Sequence, residues 1–363
     1  VERQVVYLGA VRLLLFVTDL KLGGTPTVVR ELAMRMQGDV EHVEVACLGG
    51  RDEVAVELDE FGVPVTAFDV GIRHLPAAVR RLRDLQNIGK IDTILSFLVH
   101  ANVVAALASR GTSGVVWWQS IQTTQPKPRW HWPVQRWAAR HATGVIVPSP
   151  SVADVAISRC CVLPENVHVI PNGVDATLLA REPRPARDPE SPQRVVFLGR
   201  LDPVKRIPML MRAVARVDRA RLDIFGDGPE RATLEAQAAT LPQVTLHGSV
   251  SRERALRDAD VLVLPSEAEG FGLVLIEAMA AGVPVAGANV PGIRDVVDQE
   301  KGLLFGDERQ LVRVLQDLRD HPAPAAERAA MALRWVREQR TWDRVVPAYL
   351  DLLSSSAATR VSF

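Results

Sequence analysis

The sequence predicts an α/β protein of two domains, each built on a parallel sheet. Three observations carry that expectation. Short apolar runs alternate with amphipathic, helix-forming segments through both halves of the 363 residues. Runs such as Leu13–Val17 are continuously apolar, the pattern of parallel strands covered on both faces. Residues 180–193 interrupt the alternation with four prolines among charges of both signs, the composition of a linker. The expected division is 1–180 for the first domain, 194–340 for the second, and a last helix over 341–353.

In the first half, Val1–Ala10 is a ragged start and Leu13–Val17 the first strand. Asp19–Gly24 is a loop. Thr25 is the candidate N-cap of a helix ending at Met36, with Pro26 at its first position and Val28, Leu32 and Met36 on one face. His42–Leu48 is a strand, Asp52–Phe61 a helix, and Val63–Phe68 a strand after a turn at Gly62. Leu75–Gln86 is an amphipathic helix with arginines on its wet face. Strand Thr93–Phe97, helix Ala101–Ala108 and strand Gly114–Trp118 follow. Gln119–Pro133 is a long loop holding Pro126, Pro128, Pro133, Trp130 and Trp132. Helix Val134–Ala142, strand Gly144–Val147, helix Ser149–Ser158 and strand Val167–Ile170 close the half at the turn Pro171-Asn172-Gly173.

In the second half the strands are Val195–Leu198, Arg221–Phe225, Val244–His247, Val261–Leu264, Val283–Ala286 and Leu303–Phe305, with helices between them. Arg309–Arg319 and Pro324–Arg337 are the closing helices. Thr341–Leu353 is a final amphipathic helix, frayed from Ser354 onward.

Composition narrows the function classes. Lys plus Arg and Asp plus Glu both number 43, so a bulk attraction to nucleic acid is not expected. Cys47, Cys160 and Cys161 have neither metal-site nor disulfide-framework spacing, which suits a reducing cytoplasm. The apolar runs are too short to span a bilayer, and residues 1–20 lack the pattern of a signal peptide.

Ligands of such sheets bind beyond the carboxyl ends of the strands, so the loops that follow strands hold the candidates. The most informative is Pro265–Gly282, PSEAEGFGLVLIEAMAAG. Glu269 lies in a loop and Glu277 in the helix that follows. Gly270 and Gly272 flank Phe271, where missing side chains would let a ligand meet the backbone of Phe271–Leu273. Gly23-Gly24 follows the first strand and opens a helix, an arrangement that suits a phosphate or serves a tight turn. Arg200 and Lys205 in GRLDPVKR place two cations at a strand end, as a diphosphate requires, with Arg206 the competitor of Lys205. Gly226–Glu230 admits two readings, a nucleotide contact or a helix cap with Pro229 at the first helical position. His100 is either a capping or core histidine or a donor to substrate.

These motifs, in this order on two α/β domains, resemble the GT-B glycosyltransferases, most closely family 4, along essentially the whole chain. The signature is the pair Glu269 and Glu277 with seven residues between them. Gly23-Gly24, Gly199-Arg200, Lys205, Phe225–Glu230 and PNGVD at Pro171–Asp175 accompany it. The resemblance implies two Rossmann-like domains facing across a cleft and a retaining hexosyltransferase that uses a nucleotide sugar. A UDP-sugar is the default donor, with GDP open, and no metal or other cofactor is implied. Arg200 and Lys205 would bind the diphosphate, Gly23 and Gly24 would help hold it, Glu277 would accept the ribose hydroxyls, and Glu269 would reach the transferred sugar. His100, Gln119 and Asn172 are the candidate acceptor or sugar contacts. The acceptor would be a glycan, a lipid-linked sugar or a small molecule. Family members often carry histidine in the loop after the strand matching Gly114–Trp118; Gln119 is expected there. The loop Gln119–Pro133 is the candidate acceptor wall. Trp130 and Trp132 with Lys127 and Arg129 admit a peripheral contact with the inner membrane face. The rivals are a GT-B phosphorylase, for which no convincing cofactor lysine is present, and a catalytically silent nucleotide- or glycan-binding protein.

Overall fold

The computed structural model describes residues 8–70, 74–110, 114–125, 128–180, 182–188 and 190–358. The chain divides into two compact units. One runs to Asn172 and resumes at Trp342, and the other is Gly173–Thr341.

The first unit holds β1 (Leu8–Val17), α1 (Gly24–Met36), β2 (Val40–Cys47), α2 (Glu53–Glu60), β3 (Val65–Ala67), α3 (Leu75–Gly89) and β4 (Thr93–Phe97). It continues with α4 (Val99–Ala108), β5 (Val116–Ser120), α5 (His131–Ala139), β6 (Gly144–Val147), α6 (Pro150–Cys160) and β7 (Val167–Val169). The strands form one parallel sheet in the order β3-β2-β1-β4-β5-β6-β7. The order reverses direction between β1 and β4, which opens a crevice at their carboxyl ends. Leu13, Leu14, Leu15, Phe16 and Val17 are all fully buried, as a continuously apolar central strand demands.

Several boundaries differ from expectation. The first strand begins at Leu8, so part of the expected ragged start is paired to β2; Val1–Tyr7 lie outside the described residues. Helix α1 opens at Gly24 with Gly23 as its N-cap, and Thr27 bonds back to the Gly23 carbonyl through both its amide and its hydroxyl. Pro26 is therefore third in the helix, where its missing N–H is still one of the amides without an intrahelical partner. Strand β5 runs two residues later than the expected 114–118 and carries Gln119 and Ser120 into the sheet. The loop after it is shorter, because α5 begins at His131 and buries Trp132 against Val145, Val147 and Ile121. Pro126 and Lys127 of that loop lie outside the described residues.

The second unit holds β8 (Gln193–Leu198), α7 (Ile207–Val214), β9 (Ala220–Phe225), α8 (Arg231–Ala238), β10 (Val244–Gly248) and α9 (Arg252–Leu256). β11 (Val261–Leu264), α10 (Leu273–Ala280), β12 (Val285–Ala288), β13 (Leu303–Phe305), α11 (Glu308–Asp320) and α12 (Pro322–Gln339) follow. Its sheet is parallel too, ordered β10-β9-β8-β11-β12-β13, with the reversal between β8 and β11.

The proline-rich stretch is fastened to this unit; Arg181 and Pro189 within it lie outside the described residues. Ala180 donates to the carbonyl of Ala280 at 2.8 Å. The Arg184 guanidinium reaches the carbonyls of Ala281 (2.8 Å), Leu256 (2.9 Å), Arg257 (3.0 Å) and Ala259 (3.3 Å). It satisfies the carboxyl ends of α9 and α10 together, where helices leave carbonyls without partners. Gly282, expected as the stop of α10, has φ of 69° and its Cα lies beside the Arg184 side chain.

The last helix, α13 (Trp342–Ala358), packs on α1 and β1 of the first unit. Trp342 and Tyr349 are buried, and Asp343 pairs with Arg35 at 3.0 Å. The helix passes Ser354 intact, with Ser354 and Ser355 bonding back to the carbonyls of Asp351 and Leu352.

Candidate active site

In the second unit the two loops at the point of reversal are Gly199–Lys205, after β8, and Ser266–Gly272, after β11. The first rests on a neighbouring loop. Gly199 N–H donates to Phe225 (3.0 Å), Leu201 N–H to Asp227 (2.9 Å), and Glu230 N–H to the Leu201 carbonyl (3.0 Å). A Cβ at Gly226 would stand 1.9 Å from the Gly199 carbonyl oxygen, and one at Gly228 2.4 Å from that of Leu201. Glycine is required at both places because backbone meets backbone. Gly226–Glu230 thus serves as the bed of the Arg200 loop. Pro229 does not open a helix; α8 starts two residues later with Glu230 as N-cap.

Asp202 caps a short turn at Pro203–Lys205 by accepting from the Val204 amide. Arg206 follows in the left-handed region and is exposed. Lys205 turns inward and places Nζ 2.5 Å from Glu269 Oε1. The Ser266 hydroxyl donates to the same oxygen at 2.6 Å, and the Glu267 amide bonds the Val204 carbonyl at 2.8 Å. The loops of β8 and β11 are therefore joined through both backbone and side chains. Lys205 and Glu269 are 21% and 14% exposed, enough shelter for loss of either partner to leave a costly charge. Arg200 stands out from the same loop at 60% exposure, with Nε 3.5 Å from Asp202.

Gly272 takes φ of 74° and turns the chain into α10, so Gly270, Phe271 and Gly272 lie buried against that helix's start with Leu273 half-buried. A third loop, after β12, supports them. Gly292, at φ 83°, lies so close that a Cβ would be 2.3 Å from the Glu269 carbonyl oxygen. Glu277, in the second turn of α10, is buried, and Arg252 Nε stands 2.5 Å from its Oε1. Ser266, Gly292 and Arg252 were missed by sequence reasoning. A serine before a glycine-rich turn and a Pro-Gly after a strand are faint signals for the first two. Nothing in the spacing links Arg252 to Glu277.

In the first unit, Gly23 and Gly24 are exposed at the amino end of α1. A Cβ at Gly23 would meet nothing closer than 3.7 Å, and its φ of 173° suits any residue. His100, expected in a loop, lies in the first turn of α4 after the strained Leu98 at φ 70°. Burial lowers its pKa, and the charge of Asp19, from the loop after β1, opposes that shift. Its ring lies 5.8 Å from that of Trp130, which is exposed, whereas Trp117, Trp118 and Trp132 are buried.

Gln119 is not a loop residue. It lies in β5 with no exposure, and its amide donates to Gln135 Oε1 at 2.5 Å. Gln135 also accepts from Asn102, which accepts from Ser96, so these polar residues of β4, β5, α4 and α5 bond one another, while the Gln119 Oε1 is buried with no hydrogen-bond partner among the described residues. The loop instead presents Gln122, half-buried, which donates to Ser120 Oγ at 2.7 Å and accepts from Asn172 Nδ2 at 3.5 Å. The structure thus brings Asn172 to Gln122 and leaves Gln119 in the core. Among the described residues, no group of three or more His, Cys, Asp or Glu side chains is placed to hold a metal ion, and no helix is long and apolar enough to cross a membrane.

Residues 22–178 match the family model described as Glycosyltransferase Family 4, and residues 192–321 the one described as Glycosyl transferases group 1. Between them the two cover more than half of the chain. Sulfoquinovosyl transferase SQD2 of Arabidopsis thaliana is 30% identical over 228 residues, 58% of this chain and 44% of that protein. Glycogen synthase of Mycobacterium tuberculosis is 31% identical over 229 residues, 59% of this chain and 55% of that one. The match spans about half the length of these curated relatives. Among solved structures, HepE of Anabaena in complex with UDP and glucose has a TM-score of 0.82 at 21% identity, covering 95% of this chain and 100% of that one. That likeness shows the fold. The chain belongs to the family 4 glycosyltransferases of the GT-B fold.

Proposed function

We propose that this protein transfers a hexosyl group from a nucleotide diphosphate sugar to a hydroxyl acceptor, with retention at the anomeric carbon. The observation that carries this is the Lys205–Glu269 pair at the reversal of the second sheet. A cation for a diphosphate and a carboxylate for sugar hydroxyls stand there in contact. Arg200, exposed on the same loop, is the second cation. As the bond from the anomeric carbon to the diphosphate oxygen breaks, negative charge grows on that oxygen, and Arg200 and Lys205 stabilise it. The acceptor hydroxyl attacks the same face of the sugar and its proton passes to the departing phosphate oxygen. No side chain then has to serve as base. Glu269 holds the sugar and Glu277 the ribose, with the backbone of Gly270–Leu273 beside them.

A UDP-sugar is the donor to test first; the HepE complex with UDP and glucose supports that choice. The acceptor is assigned to the first unit, where Gln122, Asn172, His100 and Trp130 are the candidate contacts. Lys205, Glu269 and Arg200 together favour this reading over a catalytically silent binding protein.

The test incubates the protein with UDP-, GDP-, ADP- and TDP-sugars and a broad acceptor mixture. Nucleotide release, thermal stabilisation and the anomeric configuration of the product are followed. Turnover with one donor and an unchanged anomeric configuration is expected. Neither stabilisation nor turnover with any donor would overturn the reading, and an inverted product would overturn its mechanism.

A further inference from the structure

Glu277 is the residue assigned to the ribose, yet its carboxylate is 2.5 Å from the guanidinium of Arg252. Arg252 is the first residue of α9, whose N-cap Ser251 accepts from the Arg254 amide. That turn carries three charged residues in a row. Glu253 and Arg254 are exposed, and Arg252 alone of the three is half-buried. The two helices concerned are fixed to each other at their far ends, where Arg184 donates to Leu256, the last residue of α9, to Arg257 after it, and to Ala281 after α10. Arg252 and Glu277 are thus held in place by backbone that a second arginine secures.

A carboxylate as buried as Glu277 needs a cation or several donors to stay ionised. An ionised, fixed carboxylate is the acceptor that a vicinal diol requires, since it can take a hydrogen bond from each hydroxyl. Guanidinium is suited to the task because its planar fork orients the carboxylate as well as neutralising it.

We infer that Arg252 is a positioning residue for nucleotide recognition. It sets the charge and orientation of Glu277, so that the site demands both ribose hydroxyls and discriminates against 2′-deoxyribonucleotides. This rests on the assignment of Glu277 to the ribose.

The test measures dissociation constants for UDP, GDP and ADP and for their 2′-deoxy counterparts by calorimetry. The wild-type protein is expected to prefer its ribonucleotide about tenfold or more, the size of one hydrogen bond to a charged group. Arg252→Gln weakens the ribonucleotide about tenfold and brings the deoxy preference to within about twofold. Arg252→Lys recovers part of the preference, because it restores charge without the fork. Arg254→Gln, on the exposed neighbour, changes neither value. A merely structural role for Arg252 would weaken both nucleotides alike and keep their ratio. An unchanged ratio in folded Arg252→Gln, or in Arg252→Lys should the first variant not fold, overturns the inference and spares the proposed function. A wild-type protein that binds none of the nucleotides overturns both.

Discussion

Lys205 and Glu269 come from loops after two neighbouring parallel strands and meet at 2.5 Å, with the Ser266 hydroxyl on the same carboxylate oxygen. On the proposed function, the donor phosphates would draw Lys205 from an existing partner, and Glu269 would meet the sugar already held by Ser266. Lys205→Ala is expected to cut kcat/KM by about a hundredfold or more, as loss of a charge-stabilising group does. It should also destabilise the fold by about 1–3 kcal/mol, because Glu269 loses its cation in a sheltered place. Ser266→Ala should cost activity about tenfold with a far smaller effect on the melting temperature. Steady-state kinetics and thermal unfolding on the same preparations separate the two.

Arg200 should behave differently from Lys205. Its side chain is exposed and only loosely placed near Asp202. Arg200→Ala is expected to leave the unfolding free energy within about 0.5 kcal/mol. Turnover should still fall by about two orders of magnitude. Unchanged turnover would remove Arg200 from the diphosphate site.

The glycines separate into two kinds. Gly292→Ala forces a methyl group to within 2.3 Å of the Glu269 carbonyl at a backbone angle that disfavours side chains, so the Glu269 loop must move. A loss of about 1–3 kcal/mol and a fall in kcat are expected. Gly23→Ala meets no such obstacle within its own unit. It should fold normally, and a rise in donor KM would show that the amino end of α1 receives phosphate.

Stability should fall on mild acidification. Burial lowers the pKa values of His100, His131 and His168, all in the first unit, below the ordinary 6.5. The unfolded chain then binds more protons than the folded one as pH falls below about 6.5. Their stabilising share is complete above that value and is lost as pH drops through the folded pKa values. Denaturant unfolding between pH 7.5 and 5 should show this slope, and His100→Gln should flatten it.

Much of the fold was legible in the residues themselves. Thr93–Phe97, Gly144–Val147, Val261–Leu264 and Leu303–Phe305 are strands to the residue, since turn signals or polar residues bound each apolar run. Strand β5 was misplaced because Gln119 and Ser120 are polar, and polarity alone gives no sign that Gln135 and Ile146 would accept their side-chain donors inside the core. That slip moved Gln119 into the imagined loop and hid Gln122. In the second unit, Glu269, Glu277, Lys205 and Arg200 were visible because each lies in or beside a short local pattern. Arg252 and Gly292 were not, because their importance lies in contacts across 25 and 23 residues of chain.

The Arg184 clamp also bears on how this protein can be taken apart. By composition, residues 180–193 look like the place to cut, and a protease or a cloning boundary would be aimed there. A cut before Arg184 in a separately expressed second half would leave its end free to drift from the helices it ties together. A cut after it would discard the guanidinium altogether. Either would loosen α9 and α10 while leaving Arg200, Lys205, Glu269 and Glu277 in the chain, and a loss of nucleotide binding by that half would reflect only its unfastening. The safer boundary lies upstream, ahead of Gly173.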